Sequence, residues 1–334
     1  MRILVTGGAG YIGSHAVRWF QKRGHDVWVF DNLSAGHAAA IFDTPLIVGD
    51  LLDEAALDRA FQASRCDAVA HFAGRIDVGE SIAAPLEYYR ANVAGTLSLV
   101  ERMKRHGVRR LVAASTCAAE PAPGAIGEAP STPASPYGRT KLSAEWLLDD
   151  CARAYGLGVV QLRFYNAAGA SPEGGLGEDH RPERHLIPLT LQVAAGRRES
   201  LGLFGTDHST PDGTCIRDYV HVDDLAEAFL VALETVEPGE ICGCSLGTGK
   251  GSSVREVVRL CEQVTGRSIA LRARPRRAGD TAVLVADPRL AIDRLGWHPR
   301  YEGLREIIAT AWNWHRTHPS GYDEADAVIP AEKP

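Results

Sequence analysis

The sequence predicts an α/β fold, a doubly wound parallel sheet of Rossmann type with a smaller α/β substrate lobe, on three observations. Short apolar runs bounded by Gly, Asp or Pro alternate with longer helical patterns through the first half of the chain. Those runs are apolar throughout rather than alternating, as strands covered on both faces must be. The first of them leads straight into a glycine-rich turn that opens a helix.

In order, strands are expected at 3–5, 27–30, 46–48, 68–72, 111–114 and 159–162, and helices near 12–23, 53–63, 85–106 and 136–155. After about residue 166 the pattern loosens into a Gly/Pro/charge-rich stretch at 171–183. Helices then follow near 185–195, 222–236, 253–265, 287–295 and 302–316, mixed with short strands. The expected organisation is a dinucleotide-binding domain over 1–165, with a returning segment near 214–245, and a second lobe over 166–320. The polar, acidic tail at 321–334 should fray.

Composition narrows the function. A net charge of −6 over 334 residues argues against a nucleic-acid or anionic-membrane binder held by bulk positive charge. No apolar run approaches the about 20 residues of a membrane span, and residues 1–6 enter a strand without a leader pattern, so a cytoplasmic protein is expected. The seven cysteines are odd in number and scattered, which fits a reducing compartment. Cys242 and Cys244 are the one close pair and read as strand residues, and no metal site is assigned.

Gly7, Gly10 and Gly13 follow the first strand in TGGAGYIG. Gly7 makes the tight turn, Gly10 lets backbone approach a pyrophosphate, and Gly13 permits close helix-to-strand packing. Asp31 ends the second strand, where a carboxylate binds both ribose hydroxyls and repels a 2′-phosphate, so NAD is favoured over NADP. Asp50 and Leu51 after the third strand, and Phe72, Ala73 and Gly74 after the fourth, extend the same carboxyl-end series.

Tyr137 and Lys141 are four apart at the start of a helix marked by Pro136, hence on one face. A lysine cation beside a phenol stabilises phenolate, as would a nicotinium ring nearby, so a base near neutral pH is expected, with Thr116 at the end of the fifth strand hydrogen-bonding the proton in transit. Arg217 and Arg277 offer guanidinium forks suited to a diphosphate, whereas Arg272, Arg274 and Arg276 read as a solvated edge.

With these residues in place, GAGYIGSH, DNLS, HFAG, SPYGRTKLSAE, RFYNAAGA, GED, HLIP, GTCIRDYVHVDDLA and RRAGD occur in order. Across most of its length the chain resembles the UDP-glucose 4-epimerase family of extended short-chain dehydrogenases. The resemblance implies epimerisation at C4 of a UDP-hexose, with NAD held and recycled and a homodimer as the working form. It places the Ser/Thr, Tyr and Lys of the family on Thr116, Tyr137 and Lys141. Tyr11, Ile12, Asn32, Asn92 and Phe164 join the cofactor set, and Asn166, His185, Leu186, Arg217, Arg277, Asp280 and Leu284 fall on substrate contacts.

Three departures accompany the resemblance. Thr116 leads into Cys-Ala-Ala-Glu-Pro rather than a Tyr-Gly pair, Ile76 stands where the family commonly has a cofactor-facing lysine, and Leu284 stands where relatives carry Tyr or a small residue. Dehydratases of the superfamily resemble one another in carrying Asp-Glu after the Ser/Thr; here Cys117-Ala118 offers no acid to expel a hydroxyl, which favours epimerisation. The alternatives are a 4-epimerase of another UDP-sugar, such as UDP-xylose or a UDP-N-acetylhexosamine, and a binding protein that holds NAD and nucleotide sugar without reacting.

Overall fold

The computed structural model describes residues 1–119, 133–277 and 280–322. The loop departure after Thr116 lies largely outside them, as does the tail beyond Tyr322. In chain order the strands are β1 Arg2–Thr6, β2 Asp26–Asp31, β3 Leu46–Val48, β4 Ala68–His71, β5 Arg110–Thr116, β6 Gly158–Phe164, β7 Asn166–Ala168, β8 Leu201–Phe204, β9 Ile216–His221, β10 Ile241–Leu246, β11 Gly251–Ser253, β12 Leu271–Arg274 and β13 Val283–Leu284. The helices are α1 Tyr11–Lys22, α2 Glu54–Ser64, α3 Val78–Ala83, α4 Pro85–Tyr88, α5 Gly95–His106, α6 Pro136–Tyr155, α7 Leu186–Ala194, α8 Val222–Thr235, α9 Val254–Thr265, α10 Arg289–Leu295 and α11 Leu304–Thr317.

Two compact units emerge. The first comprises Met1–Arg163 and Ala226–Ser245, and the second Phe164–Leu225 and the described chain from Leu246 onward. The returning segment is thus shorter than 214–245: residues before Ala226 pack with the second unit, because β9 is paired there by β7, β11 and β13.

Among the described residues the first unit holds a seven-stranded sheet in the order β10-β6-β5-β4-β1-β2-β3. Its β1–β2, β1–β4, β2–β3 and β4–β5 pairs are parallel, with Thr6 opposite both Phe30 and His71. Parallel pairing forces each connection across a face, and the helices α2, α5 and α6 cover one face with Leu57, Phe61, Leu99, Met103 and Leu148 against Leu4, Val69 and Leu111. The order reversal about β1 and β4 leaves a crevice outside the strands' carboxyl ends, the usual ligand position in such sheets.

Local chemistry fixes the helix that carries Tyr137 and Lys141. Ser135 caps α6 by accepting from the Gly138 amide at 3.1 Å, Pro136 occupies its first turn, and Gly156 ends it in a left-handed conformation. The helix expected at 85–106 runs over those residues as α4, a π-helical turn Tyr89–Ala94 and α5, without a gap. Ala84 before Pro85 leaves helical geometry, as the residue before a proline tends to. The wide turn carries Asn92, whose side chain is thereby spent on Arg75 and Thr140.

In the second unit β9 pairs with β11 antiparallel and with β13 and β7 in parallel, while β8 and β12 form a separate parallel pair. Ile187, Leu191, Val257, Cys261, Ile307 and Ile308 of α7, α9 and α11 form its core. Asp218 is fully buried and accepts from Thr248, Gly249 and Ala286, which locks the loops around β9.

Candidate active site

The first unit gathers the dinucleotide residues at successive strand ends. A Cβ on Gly7 would meet the Ala73 nitrogen at 2.4 Å and one on Gly13 the Gly7 carbonyl oxygen at 2.1 Å, so strand, turn and helix are in contact only because these residues are glycine. At Gly10 the nearest atom would be the Gly7 oxygen at 3.4 Å, ordinary contact distance that leaves room for a ligand. The α1 helix starts on Gly10 with no acidic residue in its first turn, so its positive dipole end favours an anion.

Asp31 is buried, and its two carboxylate oxygens accept from the amides of Ala9 at 2.9 Å and Leu33 at 2.8 Å. Burial raises its pKa and these two amides oppose the rise. Asn32 donates to Asp50 at 2.8 Å, bringing the ends of β2 and β3 together. Leu51 is buried in the core, Phe72 stacks on Phe229 at 4.1 Å, and Tyr11 and Ile12 open α1. A Cβ on Gly74 would lie 2.8 Å from Asn92 Oδ1 and 3.6 Å from Lys141 Nζ, which joins these three residues at one place. The glycine cradle and the ribose carboxylate fit NAD. Ile76 is exposed there and contributes no charge. Phe164 closes β6, half-buried.

Next to this cradle stand Thr116, Tyr137 and Lys141. Tyr137 is buried and hydrogen-bonded to the Thr116 side chain, and Lys141 Nζ donates to the Ala114 carbonyl at 3.1 Å. The protein alone sets the starting point for that phenol. Burial pushes Tyr137 up to about 12 against the pull of Thr116, and burial also brings Lys141 down to about 8 against the field of Glu145. One of the lysine's three donors goes to that carbonyl, and the positive charge of a bound nicotinamide ring would add to the lysine's in stabilising a phenolate.

A supporting network was not identified from sequence. His71 bridges Thr6 Oγ1 at 2.7 Å and Thr96 Oγ1 at 3.1 Å, and burial holds its imidazole down at about 3, hence neutral. Thr96 in turn donates to the Asn92 carbonyl at 2.6 Å. Ser115 and Arg163 both bind Glu145. The spacing of Glu145 four residues after Lys141 was the one readable signal for this layer.

Of the residues assigned to the substrate, Asn166, Arg217, Asp280 and Leu284 gather around β9. Asn166 donates to the Asp218 carbonyl at 2.8 Å, Arg217 reaches Asp280 at 3.2 Å, and Leu284 lies opposite Arg217 in the β13–β9 register. The Arg277 carbonyl accepts from the Asp280 amide at 3.2 Å, and its guanidinium lies 3.9 Å above the Phe204 ring. Arg272 and Arg276 pair with Glu199 and Asp207 at the surface.

His185 precedes α7, followed by the half-buried Leu186. His185 Nδ1 meets the buried carboxylate of Glu178, which also binds His180 Nδ1 at 3.1 Å. Burial opposes ionisation of Glu178, but the two imidazoles outweigh it and hold the carboxyl down at about 2. Glu178, His180 and Glu183 were not singled out from sequence.

The model of the NAD dependent epimerase/dehydratase family matches residues 3–243. The chain is 49% identical over 326 residues to a UDP-glucose 4-epimerase of Halalkalibacterium halodurans, covering 96% of this chain and 98% of that protein. It is similar to the crystal structure of UDP-glucose 4-epimerase from Brucella ovis in complex with NAD, with TM-score 0.88, 46% identity, and 93% and 97% of the two chains covered. It is also similar to the Bifidobacterium longum UDP-glucose 4-epimerase in complex with NAD+ and UDP, with TM-score 0.89, 36% identity, and 96% and 99% covered. A chain with this strand order, glycine cradle and Thr116–Tyr137–Lys141 arrangement, matched over nearly its whole length, belongs to the UDP-glucose 4-epimerase family.

Proposed function

We propose that the protein interconverts UDP-glucose and UDP-galactose by epimerisation at C4 through a transient 4-keto sugar, with Tyr137 as the base. The carrying observation is the buried Tyr137 phenol, hydrogen-bonded to Thr116 one helical turn from Lys141. Bound NAD supplies the acceptor, and then the donor, of the C4 hydride. Tyr137 takes the proton of the 4′-hydroxyl and later returns it, Thr116 holds the hydroxyl in reach, and Lys141 fixes the local charge. Gly7, Gly10, Gly13, Asp31, Asn32, Asp50 and Asn92 would hold the dinucleotide. Asn166, His185, Leu186, Arg217, Arg277, Asp280 and Leu284 would hold the nucleotide sugar, the arginines through its diphosphate.

Removal and return of the same hydride leaves no net redox change, so the reaction needs no added cofactor once NAD is retained. Purified protein given UDP-galactose alone should form UDP-glucose. Tight binding of both ligands without turnover would favour a binding protein, and conversion confined to UDP-pentoses or UDP-N-acetylhexosamines would assign another sugar pair.

A cytoplasmic homodimer serving galactose metabolism is the setting this reading implies. The cysteines of the described residues are free thiols, and no helix among those residues is long and apolar enough to cross a membrane. Leu97 of α5 and Trp146 of α6 are 44% and 58% exposed, as an apolar pairing face requires. Leu99 and Leu147 of the same helices belong to the core or pack against it.

A further inference from the structure

We infer that Glu178, His180, Glu183 and His185 form a binding site for a transition-metal dication of the zinc class, within the loop that leads into α7. The site goes beyond the epimerase reading and does not depend on it. Each residue offers one ligand atom, and these four atoms lie within 4.8 Å of one another. A tetrahedral ion with bonds of about 2.0–2.1 Å sets its ligand atoms about 3.3 Å apart. His180 Nδ1 stands 3.1 Å from Glu178 Oε1 and 3.9 Å from Glu183 Oε1, and His185 Nδ1 stands 3.8 Å from Glu183 Oε1.

Hydrogen bonds among the four side chains account for only half of this arrangement. Glu178 is in direct contact with both imidazoles, but the Glu183 oxygen is too far from either for a hydrogen bond and close enough to share an ion with them. The side chains of Glu178 and Glu183 are 4% and 7% exposed, so two carboxylates are withdrawn from water side by side. A dication bound in place of the imidazole protons would balance the two carboxylates, and the two imidazole ligands favour zinc, nickel or copper over magnesium or calcium.

The surrounding structure holds the ligands in place. Trp314 Nε1 donates to the Glu178 carbonyl at 3.2 Å, the Arg184 and His185 amides donate to Glu183 Oε1 at 2.7 and 2.8 Å, and Arg181 ties the loop to Asp179 and to the Ser320 carbonyl. Such outer contacts are what orient metal ligands. A cavity of about 400 Å³ lined by Glu178, His180, Glu183, Arg197, His315 and His318 reaches the cluster and provides an entry path. Through His185 the ion would fix the orientation of a residue assigned to the nucleotide sugar.

The test uses untagged full-length protein incubated with excess Zn2+, desalted, and analysed for metal by mass spectrometry. The inference expects about one zinc per chain, with at least a tenfold loss of affinity in both Glu183→Gln and His180→Gln. Replacement by Co2+ should give the intense visible bands of tetrahedral cobalt in the wild type and not in the variants. Circular dichroism and retained NAD report whether each variant is folded. Failure of the wild type to retain zinc would overturn the inference, and so would zinc retained equally by folded variants, which would place the ion elsewhere. Neither result bears on the epimerase reading, because no activity is measured.

Discussion

Arg163 grips the carboxylate of Glu145 with two nitrogen atoms, Nε to Oε1 at 2.8 Å and Nη2 to Oε2 at 2.5 Å, directly beneath the turn of α6 that carries Lys141. Ser115 donates to the same Oε1 at 2.5 Å, so the anion is fixed in position. Its field sustains the Lys141 cation against the burial that has already lowered it to about 8. In Glu145→Gln the cation should be lost at lower pH, and the alkaline limb of kcat/KM should move down by roughly one unit. The charge opposite a partly buried arginine is also removed, so the single variant should be less stable. Pairing it with Arg163→Met should recover melting temperature without restoring the limb. A limb that returns together with stability would make Glu145 merely structural.

Tyr137→Phe removes the group that moves the proton while leaving the cradle untouched. Turnover should fall by about 10²–10⁴-fold, the range of general acid-base catalysis, with NAD still retained. The phenol stands at about 12 before the dinucleotide adds its charge, so titrating tyrosinate absorbance with and without NAD should show a lower pKa in the complex. An unchanged titration together with near-wild-type turnover would remove Tyr137 from the mechanism.

The glycines of the first turn should separate by what surrounds them. Alanine at Gly13 sets its Cβ 2.1 Å from a backbone oxygen, so Gly13→Ala should destabilise the unit by about 1–3 kcal/mol and lose NAD. At Gly10 the added methyl meets protein only at 3.4 Å, so Gly10→Ala should melt near the wild type while binding NAD more weakly. Thermal melts and cofactor content of the two variants check this. Equal stability losses would refute the distinction.

The glycine turn, the strand ends and the Tyr-Lys pair were legible because each follows from local spacing. Asp31 had to end a strand, and Tyr137 and Lys141 had to share a helix face. The interruption at Tyr89–Ala94 was not legible, since a π turn adds one residue that no apolar period marks. Pairings over long sequence separations, such as Thr6 with His71 or Glu145 with Arg163, arise only when strands and helices meet in space. The burial of the phenol was not legible for the same reason: spacing gives proximity to a lysine, but the desolvation that raises Tyr137 depends on the whole fold.

Association offers a fourth check. Leu97 and Trp146 are exposed on neighbouring helices of the first unit, with Leu86 and Ile82 exposed on the short helices before them. A two-fold interface is self-complementary, so a charge placed in it meets its own copy. Leu97→Glu with Trp146→Glu should convert a dimer at micromolar concentration to a monomer in sedimentation velocity. A wild type that is already monomeric at that concentration would count against pairing.

Sugar choice is the final prediction, and it rests on Leu284. The register sets Leu284 opposite Arg217, whose guanidinium is itself bound to the Thr281 carbonyl and to Asp280, so the backbone there is fixed and the side chain decides the space. Leucine is branched and fills the volume nearest its Cβ, yet lacks the ring that would close the far end. A 2-acetamido group must fit in both orientations of the turnover, and excluding a bulky group costs more than the about 1–3 kcal/mol by which a pocket senses one methylene. UDP-glucose and UDP-galactose should therefore be the main pair, with weak turnover of UDP-N-acetyl sugars. Leu284→Ser should raise kcat/KM for UDP-N-acetylgalactosamine and leave UDP-galactose within a few-fold, whereas Leu284→Tyr should abolish the acetamido activity. Equal wild-type values for the two substrates, or no gain in the serine variant, would assign the choice to another position.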